Sequence, residues 1–523
     1  MLLPLLGLGL AIAPQQQPAP RTVPEASDYT QTSRAADVER LCRAAAERPH
    51  GDRLTLRTIG TSHGGHEQLL VQVALPDAAQ TPRLRALVIG NIHGGEVEGK
   101  EALQLLVREF AEGDHADLLR QVDLWLLPIY NVDGNEAVAL GNREGQNGPD
   151  ACGERANSQG LDLNRDFVKV DAPETRTLLA LYARVDPHLF VDLHTTNGSY
   201  HGYHLTYAPS LSPNVDPGVA RATRDLLDRA QAAMRARGFQ TFDYGNFETR
   251  DWDGSGAPES ATGVRGWYTF DHRARYGIHY FGLRNRLSVL GEAYSYCDFA
   301  TRIQATRAFV LCLLQDLVAH RADHERACAD ADRRLVSGDE PVAFGFATRF
   351  AEPEPLDVLV GEVDKIEGKD GAPLRYVRKG DGRPERMPVV RAFRATQQIA
   401  LPGAWAILAP TADVLDRLTA HGVPHEVLTA ARRVQAERFA VQKQRKPKRP
   451  FQGHQELVLE GTWEPAAPFE LPAGTALVSA RQPLARLAAT LLEPQSEDSL
   501  STWNFFEAQT DAHYPVLRVL AAK

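Results

Sequence analysis

The sequence predicts an α/β sandwich on a mixed, largely parallel sheet, followed by a smaller β-rich C-terminal domain. Three observations predict it. Short apolar runs alternate with amphipathic helical patterns from about Asp37 onward, the order that builds parallel sheets with helices on their faces. The runs are nearly continuous in Val, Ile and Leu, as in strands buried on both sides. After about residue 335 the helical pattern gives way to short β-type runs broken by Gly and Pro.

Taken in chain order, Leu2 to Ala13 is apolar and ends in Ala11-Ile12-Ala13. It is too short to span a bilayer as a helix but fits the apolar core of a secretory signal. Residues 1–13 therefore read as a signal peptide and imply export to the periplasm or beyond. Residues 14–35, rich in Pro, Gln, Ser and Thr, read as a disordered lead-in. The catalytic domain is assigned to residues 36–335. Its strands are Ala86 to Gly90, Asp123 to Ile129, His188 to Leu193 and Arg286 to Leu290, and its helices Glu96 to Ala111, Pro173 to Tyr182 and Arg302 to His320. Residues 336–523 form the accessory domain, with strands at Val358 to Val360 and Leu457 to Leu459, one helix at Asp413 to Ala420, and an aromatic cluster at Trp503 to Phe506 that reads as packing.

The net charge of −9 argues against nucleic acid or an anionic membrane as general partner, and no segment reaches transmembrane length. The basic run Gln442 to Pro450 lacks interleaved aromatics and reads as a solvated, proline-broken loop. The five cysteines are too sparse for a disulfide framework and contain no CxxC pair.

Four constellations carry chemistry. Asn91-Ile-His93-Gly-Gly-Glu96 follows one strand and opens a helix, at the strand edge where open α/β sheets place their sites. A histidine and a carboxylate three residues apart can converge on one metal. His194, in Val191-Asp-Leu-His194-Thr-Thr, ends another apolar strand and could complete a two-His, one-Glu set, which leaves a coordination position open for water. Gly160-Leu-Asp162-Leu-Asn164-Arg165-Asp-Phe167 offers amide and guanidinium donors suited to a carboxylate. Leu290-Gly-Glu292 sets a further carboxylate at a strand end.

In this order, together with Tyr130-Asn-Val-Asp-Gly134 and Pro173-Glu-Thr, these motifs resemble the carboxypeptidase A/B-like zinc metallopeptidases over about residues 36–320. The resemblance implies that His93, Glu96 and His194 bind one Zn2+, that Glu292 is the general base, and that Arg155 polarises the scissile carbonyl. It further implies that Asn164 and Arg165 hold the substrate's terminal carboxylate, and that Asp162 orients a ligand histidine. Asp166 stands where the family often has Asn, an acidic change beside Arg165. Tyr268, Tyr276 and Tyr280 all fall where the family has its mobile tyrosine, and Arg284 and Arg286 are either further carboxylate contacts or ion-pair partners. The implied function is metallocarboxypeptidase action on peptides. The alternatives are a zinc deacylase of the same fold acting on N-acyl amino acids, or a binding protein that keeps the fold without activity.

Overall fold

The computed structural model describes residues 18–76, 82–196, 198–247, 265–368, 373–506 and 512–521, so the expected signal peptide lies outside the described residues. Eight strands form the central sheet: β1 (Leu54–Thr61), β2 (Glu67–Val73), β3 (Leu84–Gly90), β4 (Val122–Leu127), β5 (Leu189–Thr196), β6 (Leu205–Pro209), β7 (Thr241–Asp243) and β8 (Leu287–Tyr294). Their spatial order is β1-β2-β4-β3-β5-β8-β6-β7. The middle four, β4-β3-β5-β8, run parallel, and antiparallel pairs β1–β2, β2–β4 and β6–β8 flank them. The sheet is thus mixed with a parallel centre, and its four central strands overlap the four apolar runs singled out in the sequence, with ends that differ by one or two residues on one side and up to four on the other.

Strand alternation divides the core. In β3, Ala86 and Val88 face one cluster while Leu87 and Ile89 face the other, all fully buried. Helices Ala35–Ala46, Glu98–Glu112, Pro217–Ala236 and Phe299–Ala319 supply the first cluster. On the opposite face Pro173–Val185 and Gly277–Gly282 pack with Phe190 and Leu290. Local signals set the helix ends: Pro173 starts one helix, Asp298 caps another by accepting from Thr301 N, and Gly113 closes the helix from Glu98 at φ 103°.

The second cluster continues into the C-terminal region, where Phe344, Trp405, Trp503 and Val516 join Phe167 and Tyr280 in one apolar mass. Residues 336–523 are β-rich, with a six-stranded sheet and helices Ala412–Ala420 and Ala485–Leu492. Trp503 is fully buried, with Arg275 4.5 Å and Lys169 5.2 Å over its ring, so the aromatic cluster joins the two regions.

Two expectations differ. The lead-in assigned to residues 14–35 is ordered from residue 18. Thr22 and Glu25 form a capping box, Arg108 binds Glu25 through Nη1 (2.7 Å) and Nη2 (2.8 Å), and Ser33 binds Glu101. Composition registers little burial there, because the segment is held by charge-assisted bonds to a helix distant in sequence. The basic run is half strand: Phe439–Arg445 pairs antiparallel with Val458–Trp463, and only 446–450 lie outside it. Among the described residues no helix is long and apolar enough to cross a membrane, and the five cysteines are unpaired and buried.

Because Trp503 seals both regions, Trp503→Ala is expected to cost about 3–5 kcal/mol. Chemical denaturation read by intrinsic fluorescence checks this; a loss below about 1 kcal/mol would show the two regions to be energetically independent.

Candidate active site

The loop after β3 is built by Asn91. At φ 59° its side chain turns inward, and Nδ2 donates to the carbonyls of His93, Gly94 and Glu96 at 3.0–3.1 Å. The glycines serve close approach: a Cβ on Gly94 would meet the Gly134 backbone at 2.3 Å, and one on Gly95 would meet the Arg143 side chain at 2.7 Å. The helix then starts at Glu98 rather than Glu96, since Glu96 N still closes a turn onto His93 O.

His93, Glu96 and His194 come together with candidate ligand atoms all within 4.8 Å of one another, and all three are buried. His93 Nδ1 lies 3.0 Å from Glu96 Oε1, and His194 Nδ1 lies 2.9 Å from Glu96 Oε2. Behind them, His93 Nε2 donates to Asp162 Oδ1 at 3.0 Å, and Asp192 Oδ2 sits 2.9 Å from His194 Nε2. The aspartates favour protons on the outer nitrogens, so both Nδ1 lone pairs point inward at a carboxylate. Buried together, these lone pairs repel unless a positive charge lies among them. Within the cluster the charges of these groups also act on one another. Burial opposes ionisation of Glu96, but His93 and then Arg143 hold it well below the usual carboxylate range. Burial likewise opposes charge on His194, yet Asp192 and Glu96 raise it well above the usual imidazole value. Two nitrogens, one carboxylate and an open side form the donor set of a catalytic zinc site.

Glu292 pairs in register with His194 on the adjacent parallel strand. Burial pushes its carboxyl up to about 8, with Glu96 adding to the rise against the pull of His194. Among the described residues it has no hydrogen-bond partner. Glu292, the His93–Glu96–His194 cluster, Arg155, Asn164 and Arg165 line one cavity of about 170 Å³, with Tyr244, Phe270, Tyr276 and Leu290 as its aromatic and aliphatic wall.

Asp162 is the brace behind this cavity. It caps the turn by accepting from Asn164 N (2.9 Å) and takes Arg155 Nε (3.0 Å) and Nη2 (2.7 Å) on Oδ2. Burial opposes its ionisation, but Arg165, His93 and Arg155 hold it well below the usual carboxylate range. Arg155 Nη1 also donates to His93 Nδ1 at 3.3 Å. Asn164 Oδ1 accepts from Gly277 N at 2.9 Å, and the Arg165 guanidinium lies 3.9 Å over the Tyr276 ring. Of the three candidate tyrosines, Tyr276 lines the cavity, whereas Tyr280 binds His421 and Tyr268 packs against Phe350.

Asp166 does not compete for Arg165. It is fully buried, binds Lys169 Nζ at 2.7 Å and accepts the amides of Asp171 and Ala172. Arg284 donates to the His421 carbonyl, and Arg286 pairs with Asp186 and Asp332, so both are structural partners.

The sequence reading missed Arg143, which lies between the motifs in an irregular stretch. Its Nη1 donates to Glu96 Oε1 (2.8 Å), Nη2 to the Thr195 carbonyl (2.8 Å) and Nε to Gln146 (3.0 Å). It therefore ties one ligand loop to the strand end that carries His194. Asp192, two residues before His194 on the same face of β5, was legible from strand periodicity alone.

Residues 38–280 match the profile of the zinc carboxypeptidase family. The chain is similar to carboxypeptidase 2 of Trichophyton tonsurans, 22% identical over 456 residues that cover 84% of this chain and 77% of that protein. It is also similar to human carboxypeptidase Z, 34% identical over 165 residues, 30% of this chain and 24% of that protein. A crystal structure of a metallo-carboxypeptidase from Burkholderia cenocepacia aligns with a TM-score of 0.40 at 16% identity, covering 56% of this chain and 70% of that one.

Arg143→Met keeps the bulk over Gly95 but removes the tie to Glu96, and it is expected to weaken metal retention roughly 10–100-fold. Competition with a chromogenic chelator measures this. Unchanged affinity would reduce Arg143 to a packing role.

Proposed function

We propose that the protein, whose residues 38–280 match the profile of the zinc carboxypeptidase family, removes C-terminal residues from peptides, using one zinc ion held by His93, Glu96 and His194. The observation that carries this reading is the single cavity in which the ligand cluster, Glu292, Arg155, Asn164 and Arg165 meet.

When bound, zinc polarises the scissile carbonyl and acidifies water. This chain supplies the rest. Arg165 and the Asn164 amide receive the terminal carboxylate, and the aromatic face of Tyr276 keeps the Arg165 guanidinium oriented. Glu292, which faces the cavity and has no hydrogen-bond partner among the described residues, takes a proton from the attacking water as the new C–O bond forms, then delivers it to the departing amine as the C–N bond breaks. Arg155 stands beside His93 and Glu96, where its guanidinium can meet the charge that develops on the carbonyl oxygen. Asp162 holds both Arg155 and His93 in place. Export is the location that the apolar run from Leu2 to Ala13 supports. Comparing the mass of the secreted protein with that of the full chain tests it.

A chelator is expected to abolish hydrolysis of a blocked dipeptide, and added zinc to restore it. Glu292→Gln should retain the metal while kcat falls by about 10²–10⁴-fold; turnover close to wild type would remove Glu292 from the base role. A blocked dipeptide, its C-terminal amide and an N-acetyl amino acid separate the readings. A carboxypeptidase cleaves the first far faster than the second, whereas preference for the third selects the deacylase reading.

A further inference from the structure

Glu98 opens the helix that follows the ligand loop, and Arg302 lies in the first turn of the helix after β8. Together they form an ion pair with neither side chain exposed. As a source of stability the pair is badly placed. Taking two charges out of water is costly, and apolar side chains of similar volume often stabilise a core as well or better. Arg302 also stands where the helix dipole disfavours a cation. Its contacts give it a different use.

Arg302 grips backbone from four places. Its Nε donates to Glu98, its Nη1 to the carbonyls of Asn147 (3.1 Å), Ser295 (2.8 Å) and Cys297 (2.8 Å), and its Nη2 to the Gly148 carbonyl. Asn147 and Gly148 continue the loop that carries Arg143, which is closed on itself by Gln146 N donating to the Arg143 carbonyl at 3.2 Å. Ser295 and Cys297 form the turn after β8, and Ser295 N donates to the Thr196 carbonyl at the end of β5 (3.1 Å). The second carboxylate oxygen of Glu98 accepts from Thr195 Oγ1. Thr195 is thereby held at every polar group. Its hydroxyl binds Glu98, its carbonyl accepts from Arg143 at 2.8 Å, and its amide donates to Glu96 Oε2 at 3.0 Å.

We propose, on the reading of His93, Glu96 and His194 as the zinc ligands, that Glu98 and Arg302 are positioning residues of the metal centre. They fix the backbone on two sides of Glu96, at Thr195 and at the Arg143 loop. Thr195 directly follows His194, so a shift of its backbone moves the imidazole. Arg143 holds Glu96 Oε1, so a shift of its loop frees that carboxylate to rotate. Neither Glu98 nor Arg302 lines the catalytic cavity, so both act through these neighbours and not on a substrate. Ligands held ready by a rigid surround lose less freedom when the metal binds.

Chelator competition and the visible spectrum of the Co2+-loaded full chain test this without turnover. Thr195→Val is nearly isosteric and removes only the hydroxyl link to Glu98, whereas Arg302→Lys keeps the charge opposite Glu98 but cannot reach four carbonyls. Each is expected to weaken metal retention roughly 10–100-fold and to shift the Co2+ absorption bands, while Thr195→Ser restores the hydroxyl and stays within about twofold of wild type. In the metal-free protein, Arg302→Lys should quicken hydrogen exchange of residues 143–148 roughly tenfold and leave that of β4 unchanged. Should Arg302→Lys fail to fold, Thr195→Val and Thr195→Ser decide alone. Wild-type metal retention in Thr195→Val overturns the proposal. Equal weakening in Thr195→Ser also overturns it, because the hydroxyl would then carry nothing. A wild type that retains no metal overturns the ligand reading and this proposal with it, a result distinct from a loss confined to the variants.

Discussion

The parallel pairing of β3, β5 and β8 is the constraint on which the rest of the molecule depends. Gly90 stands opposite Leu193, and His194 opposite Glu292. Parallel strands in register end at one edge, so the loop that carries His93 and Glu96, the strand-end His194 and the Glu292 carboxylate arrive together without long side chains having to reach. A one-residue slip of β8 would turn Glu292 to the other face of the sheet and put the smaller Gly291 or Ala293 in its place. Register is secured by burial on both faces, since every residue of β5 and β8 is buried.

Around that edge the polar groups brace one another. Asp162 joins His93, Arg155 and the turn at Asn164, and Arg143 joins Glu96 to Thr195. A carboxylate shared between a histidine and an arginine loses rotational freedom once, and that loss orders both partners. The C-terminal region takes part as well. Gln452, in the turn from Phe451 to His454, accepts the Asp162 amide at 2.8 Å, and His454 binds Asp171 at 2.8 Å. The region that the sequence sets apart as accessory thus supports the frame behind His93, and it shares its apolar core with the catalytic sheet.

Much of this was legible in the linear chain. The four central strands are visible as apolar runs because strands buried on both faces need uninterrupted apolar residues. His93, Glu96, His194 and Glu292 stand out because each sits at the end of such a run, where chemistry collects in this class of fold. Asp162, Asn164 and Arg165 are visible as one compact motif.

Only the tertiary structure decided the remainder. Tyr276 is separated from Tyr268 and Tyr280 by which cavity each ring faces, and local sequence does not encode that. Asp166, acidic and next to Arg165, turned inward because Lys169 and two backbone amides bind it there. Arg143 is unremarkable in sequence, and its contacts exist only once its loop folds over Gly95. The ordered lead-in and the Glu98–Arg302 pair likewise depend on contacts between residues far apart in the chain. Periodicity and motif spacing report what a segment needs from its immediate neighbours, and so the sequence by itself determined the central strands and singled out the residues at their ends. Which partners a side chain meets across the fold is set by packing, and the structure alone settled that.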